Sequence, residues 1–319
     1  MKKITVVGLA MLLTLSVSKV ALSQAKVGTA GAQFLEIGVS ARAVGMGEAF
    51  LANCDDASAV YYNPALIATL PQTEVMLTHI DYPADINYEF AALTLPVPQL
   101  LGALGFGVYY LSTDDMPLTD YTYPRGNGQT FTARDLAASF SYAASLTDRF
   151  SVGITLKYIG EYIEEEKAIG WGADVGTLYE TGFRNFKICM MISNFGSDSK
   201  FSTAEDVTYE AESYPLPMDF KFGMAIDAVS NSSHRVVLAV QGSHPNDNLE
   251  KYNTGMEYWY NDMVALRIGN RFEDDAGGGF TAGAGAKIPL SGVTLRADYG
   301  YHDFGWLKEV HRFSLGFSF

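Results

Sequence analysis

The sequence predicts an all-β fold: an antiparallel transmembrane β-barrel of about 14 strands with an N-terminal hatch, or plug, inside it. Three observations carry that expectation. The chain ends on a two-faced strand, with Phe313, Leu315, Phe317 and Phe319 on one face and Arg312, Ser314, Gly316 and Ser318 on the other. Hydrophobic residues make up 48% of the chain and aromatic ones 13%, yet beyond the leader they are spread among polar residues, with no run long enough for a spanning helix. Short and long connections alternate along the chain, as they do when tight turns occupy one rim of a barrel and longer loops the other. A closed barrel satisfies every backbone group inside a bilayer. A soluble secreted β-protein is the competing fold.

The first residues read as an export signal, assigned to residues 1–23. Lys2 and Lys3 precede an apolar run from Ile4 to Leu15, and Ala21-Leu22-Ser23 follows. That run is shorter than the roughly 20 residues a membrane-spanning helix requires. No cysteine precedes Cys54, so the thiol of a lipoprotein anchor is absent. The formal net charge of -14 becomes -17 once Lys2, Lys3 and Lys19 leave with the signal. So acidic a chain makes nucleic acid a poor partner and places charge in solvent loops and a wet lumen. The expected site is the outer membrane of a bacterial cell, with outer-membrane lipid as the surrounding partner. Cys54 and Cys189 are too few for a disulfide framework, and a single bridge between them is left open.

Residues 24–72 do not alternate. They contain Gly38, Arg42, Gly45, Gly47, Asn53, Asp55, Asp56, Asn63 and Pro64. Ala59, Tyr62, Leu66 and Ile67 suit short helical pieces, with Asp55 or Asp56 as a cap. Ahead of a barrel wide enough to be hollow, such a segment belongs inside it, as a hatch.

Residues 73–319 form the barrel, with strands expected near 73–80, 87–95, 104–112, 135–146, 150–160, 171–179, 185–194, 219–228, 235–243, 253–260, 263–271, 280–288, 292–301 and 311–319. The period is clearest where Phe150, Val152, Ile154, Leu156 and Tyr158 oppose Ser151, Gly153, Thr155 and Lys157. The same rule turns Arg267, Arg271, Arg296 and Asp298 toward the lumen, because a charge facing lipid mid-membrane costs about 2 to 4 kcal/mol. Short connections fall at Thr147-Asp148-Arg149, Asn261-Asp262 and Pro289-Leu290-Ser291; long ones at 113–134, 161–170, 195–218, 244–252, 272–279 and 302–310. The long set carries Glu164-Glu165-Glu166 and Asp274-Asp275. Tyr109, Tyr110, Tyr258, Trp259, Tyr260, Tyr299, Tyr301, Phe304 and Trp306 fall near strand ends, where an interfacial girdle would sit. Terminal Phe319 is the expected membrane-assembly signal, since many outer-membrane barrels end on an aromatic.

Three stretches resemble the N-terminal signature of the PorV/PorQ family, within the FadL-like group of outer-membrane barrels. They are Gly28-Thr29-Ala30-Gly31-Ala32-Gln33-Phe34-Leu35, Ala41-Arg42-Ala43-Val44-Gly45-Met46-Gly47-Glu48-Ala49-Phe50 and Asp55-Asp56-Ala57-Ser58-Ala59-Val60-Tyr61-Tyr62-Asn63-Pro64-Ala65-Leu66. Tyr301-His302-Asp303-Phe304-Gly305 and His311-Arg312 resemble the family's last hairpin. The chain departs from the family at Leu66, where a glycine is usual. The resemblance implies a 14-stranded barrel with a hatch. It further implies a part in type IX protein secretion: binding protein cargo and handing it to the surface attachment machinery with other secretion-system components. The alternative within the same group is a FadL-like channel for long-chain fatty acids or other hydrophobic solutes. An apolar interior would favour the channel, and the lumen charges favour the cargo shuttle.

Enzymatic chemistry finds no support. Gly45-Met46-Gly47 lacks the preceding strand and following Lys-Ser/Thr of a phosphate loop. His79, His234, His244, His302 and His311 stand at no metal-binding spacing, and no Ser-His pair rises above background. No cofactor and no metal are expected.

Overall fold

The alternation written into the sequence closes the chain into one antiparallel barrel in the computed structural model, which describes residues 27–119, 121–164, 166–202, 212–272 and 279–319. The expected signal peptide, the first residues of 24–72, Glu165, Asp274 and Asp275 lie outside the described residues. The barrel strands are β1 (Glu74–Tyr82), β2 (Ile86–Val97), β3 (Gly102–Thr113), β4 (Ala133–Thr147), β5 (Phe150–Ile163), β6 (Glu166–Glu180) and β7 (Lys187–Gly196). They continue as β8 (Asp219–Ser230), β9 (His234–Pro245), β10 (Lys251–Tyr260), β11 (Val264–Phe272), β12 (Phe280–Leu290), β13 (Val293–Asp303) and β14 (Glu309–Ser318). Neighbours in sequence pair around the circuit. β1 then pairs with β14 from Glu74↔Ser318 to Asp81↔His311, so a 14-stranded barrel closes without a free edge.

β1 begins and β14 ends at the same rim, where Phe319 N donates to Thr73 O at 2.9 Å. This near rim carries the connections 98–101, 148–149, 181–186, 231–233, 261–263 and 291–292, and the far rim carries the longest ones, 114–132 and 197–218. Short turns mark the periplasmic rim of an outer-membrane barrel. One expectation fails on the far rim: 161–170 is not a long loop. β5 and β6 run on to pair Ile163 with Glu166, because Glu164 and Glu166 sit at the tip of a tall hairpin instead of in a long loop.

The outer wall is apolar. Phe106, Phe140, Ile154, Leu156, Trp171, Met190, Phe222, Leu238, Leu266 and Phe313 are all exposed on it. In β5 the polar partners Ser151, Thr155 and Lys157 are buried on the inner face, as the alternation requires. Of the expected girdle, Tyr109 and Trp259 instead turn inward, 1% and 2% exposed, because their strand parity places them opposite the outward Tyr110 and Tyr258.

The core lies inside the bore. The N-terminal segment carries a short 3-10 turn at Gln33–Glu36, helix α1 (Ala41–Gly45), helix α2 (Ala59–Tyr62) and a 3-10 turn at Pro64–Thr69. α1 packs on the inner faces of β11 to β14, while Pro64–Thr69 packs on β2 to β6 across the bore. Phe34, Val39, Val44, Met46, Phe50, Leu51, Leu66 and Ile67 are buried there, and Cys54 and Cys189 are both buried, neither in a disulfide. Leu66, the departure from the PorV/PorQ pattern, is 0% exposed, so its side chain fills interior space.

Candidate functional site

The seat of the N-terminal segment on the wall starts from backbone geometry. Ser40 caps α1, its side chain accepting from Ala43 N, and the helix ends at Gly45 so that Gly47 can turn through φ +63°. A side chain on Gly47 would stand 2.7 Å from Asn270 N and 2.8 Å from Thr254 O. Facing this turn, Gly255, Gly269 and Gly283 form a smooth track across β10, β11 and β12, with the Gly283 position 3.1 Å from Gly45 Cα. The opposite end is built likewise. Asn63 accepts from Ala65 N at 3.1 Å, donates through Nδ2 to Thr177 O at 3.1 Å, and lies with Pro64 over Gly176 and Gly153.

Arg42 leaves α1 toward the wall and donates to both oxygens of Glu257, Nε to Oε1 at 2.7 Å and Nη2 to Oε2 at 2.8 Å. Its Nη1 meets Asp55 and reaches Asp56 at 3.3 Å. Arg296 donates to Asp56 at 2.9 Å, and Arg267 donates to Glu257 at 2.8 Å and to Asp298 at 2.7 Å. The guanidinium groups of Arg42, Arg235 and Arg267 gather around the Trp259 ring, 5.9, 5.8 and 5.5 Å from its centroid. Charge-assisted, bidentate contacts of this kind are the strong class of hydrogen bond. Burial alone would raise the Asp55 carboxyl, but Arg42 and Arg296 beside it outweigh burial and hold it well below the usual carboxylate range. Burial pushes the Cys54 thiol up, and nearby Asp56 adds to the push. Neither expected residue caps α2: its N-cap is Ser58, without a side-chain cap bond, while Asp56 accepts from Ser58 N at 3.1 Å in the turn ahead of the helix and Asp55 turns to Arg42.

A second tie joins Glu48 to β14. Arg312 Nη1 donates to Glu48 Oε1 at 2.7 Å, and Tyr62 OH donates to Glu48 Oε2 at 2.9 Å. The structure thus gathers Arg42, Asp55, Asp56, Arg267, Arg296 and Asp298 into one network, with Gly45 and Gly47 on the glycine track beside it. Asn63 and Pro64 seat elsewhere, and Arg271 stands apart, lining a cavity nearer the far rim. Glu257, Trp259, Glu48 and Arg312 are partners that strand parity alone does not announce. Glu257 was within reach: Met256, Tyr258 and Tyr260 alternate outward, and the register sets Glu257 against Arg267.

The inner face of β1 to β3 is different. Above Glu74 it presents Met76, Thr78, Ile80, Tyr88, Phe90 and Tyr109 and no charge. Rings link it to α2: Phe90 lies 5.1 Å from Tyr109, Tyr109 6.1 Å from Tyr61, and Tyr61 4.8 Å from Tyr62.

This barrel recurs among solved structures. The toluene transporter TbuX of Ralstonia pickettii is 13% identical, with a TM-score of 0.54 over 88% of this chain and 97% of that one. TodX, a toluene transporter of Pseudomonas putida, is 11% identical, with a TM-score of 0.57 over 86% of this chain and 96% of that one. A FadL homologue of Pseudomonas aeruginosa is also 11% identical, with a TM-score of 0.55 over 88% and 98%. The chain has their fold. The expected 14-stranded fold holds, and it is one that a FadL homologue shares. With its apolar outer wall, that fold puts the chain in the bacterial outer membrane. No protein-family profile and no curated protein matches the sequence.

Proposed function

We propose that the chain is an outer-membrane channel for hydrophobic solutes in which residues 24–72 act as the hatch. The observation that carries this reading is the inner face of β1 to β3 above Glu74, uncharged and ring-lined, against Tyr61. An apolar solute needs a surface of this kind to leave water for the bore. Arg267, Arg296 and Asp298 do not weigh against passage, because Arg267 is bound to Glu257 and Asp298, and Arg296 to Asp56, instead of lining open space. That two fold neighbours are toluene transporters supports a hydrophobic solute here. In this reading Arg42, Gly45, Gly47, Asp55, Asp56, Asn63 and Pro64 seat the hatch. Residues 1–23 are the signal, 73–319 the barrel, and Phe319 the assembly signal.

Reconstitution in liposomes tests the proposal. Labelled long-chain fatty acid or toluene is expected to enter faster than into empty vesicles; equal rates for both solutes reject the channel.

A cargo shuttle of type IX secretion is the second reading. It is favoured by the PorV/PorQ-like front signature and by the long far-rim connections 114–132 and 197–218. Deleting the gene is then expected to stop secretion and surface attachment of cargo, and normal attachment in the deletion strain removes the reading.

A further inference from the structure

Between the N-terminal segment and the far ends of β7 to β11 lies a cavity of about 70 Å³. Its wall holds Glu36, Tyr61, Asp219, Lys221, Lys251 and Asn253, with Arg271 alongside. Two features separate it from the tight network around Arg42. First, its ion pairs are loose: Lys251 Nζ stands 3.6 Å from Glu36 and Lys221 Nζ 3.6 Å from Asp219, against 2.7 to 2.9 Å for the Arg42 and Arg267 contacts with Glu257, the Arg267 contact with Asp298 and the Arg296 contact with Asp56. Second, among the described residues Asp219 Oδ1 and Asn253 Oδ1 have no hydrogen-bond partner, although their residues are only 7% and 8% exposed, and both are acceptors, whereas the unpartnered atoms of the network, Arg267 Nη2 and Arg296 Nε, are donors. Unsatisfied buried acceptors are costly and rare. Both missing partners must be donors.

We infer that this cavity takes the polar head of an amphiphile bearing a primary ammonium beside an anionic group. The ammonium supplies N–H donors to Asp219 and Asn253, and the anion meets Lys251, Lys221 and Arg271. Tyr61 lines the cavity and also faces Tyr109 in the ring-lined seam, so a tail leaving the head group has an apolar surface to follow. Lys221 Nζ already sits 5.8 Å above the Tyr61 ring, which shows that a cation is accommodated on that face. The cavity opens among strand ends of the far rim, so the head group arrives from outside the cell. The inference deepens the channel reading and rests on it for the path of the tail, whereas the head-group site stands on the cavity alone.

The test is calorimetric titration of the full-length mature protein in neutral detergent with single-tailed amphiphiles of equal tail length. The heads are phosphoethanolamine, phosphocholine, carboxylate and primary amine. Phosphoethanolamine is expected to bind at least about tenfold more tightly than phosphocholine, whose nitrogen lacks N–H. Asp219→Asn, and separately Asn253→Ala, are expected to reduce that preference toward parity, with folding checked by heat-modifiable migration on gels. Equal affinity for the two heads overturns the inference, as does a preference that survives both substitutions. No binding by any amphiphile also overturns it and leaves the cavity to water alone. Solute flux in liposomes is measured on the same preparation. Flux without head-group preference removes only this site, and preference without flux removes only the channel.

Discussion

The inner faces of β1 to β3 and of β10 to β13 enclose the same bore and hold the same N-terminal segment by opposite means. The β10 to β13 side grips with Glu257, Arg267, Arg296 and Asp298, all directional and short-range contacts, and with a glycine track that admits backbone to backbone. The β1 to β3 side offers rings and aliphatic chains, which attract without fixing a register. If the segment acts as the proposed hatch, its ties to β10 to β13 and, through Asn63, to β6 give it a direction of release: away from the rings of β1 to β3. The network also explains how an acidic chain keeps three arginines inside a barrel. They are neutralised by Glu257, Asp55, Asp56 and Asp298 within hydrogen-bond reach or close to it.

Breaking the charged side is expected to have the largest effect. Glu257→Ala leaves Arg42 and Arg267 buried without their shared carboxylate, a loss on the order of 3 to 5 kcal/mol. The hatch is expected to dislodge while the barrel stays closed, so conductance across a planar bilayer rises and the band still shifts on heating in gels. Unchanged conductance would show that the network does not hold the hatch.

Crowding the glycine track comes next. Gly47→Ala adds a methyl at positive φ against the backbone of β10 and β11, costing about 1 to 3 kcal/mol. Conductance is expected to rise less than for Glu257→Ala. A variant with conductance like the parent's would mean that the turn relaxes without moving the segment.

The ring side calls for a different readout. Phe90→Leu keeps the site apolar and costs under about 1.5 kcal/mol, while removing the 5.1 Å contact with Tyr109. Solute uptake is expected to fall with no change in ion conductance. If both move together, the two faces are not separate devices.

The same contrast governs what could be read from the chain before its fold was known. Lipid forces alternation, so β5 and β11 were legible from Phe150 to Tyr158 and from Val264 to Ile268, and the inward turn of Arg267 followed from parity. The barrel's height above the membrane was not legible, because Glu164 and Glu166 at a hairpin tip look like any solvated loop. Aromatic identity misled where parity should have ruled, as Tyr109 and Trp259 show. The contacts of Arg42 with Glu257 and of Glu48 with Arg312 lie 215 and 264 residues apart in sequence, and no local period encodes them.

Acid is the gentlest probe of the charged side. Arg42 and Arg296 depress the Asp55 carboxyl below its unfolded value near about 3.9, so the stability it lends is complete above that pH. It is lost only as the pH falls further, through the depressed folded value. Asp55 keeps 43% of its side-chain surface open, so water screens the pair and the effect stays small. Conductance is therefore expected to be flat from about pH 5 to 8 and to rise in stronger acid, and Asp55→Asn is expected to remove part of that rise. A hatch that instead loosened between pH 5 and 7 in the parent and in Asp55→Asn alike would place the pH-sensitive group at a carboxylate or histidine other than Asp55.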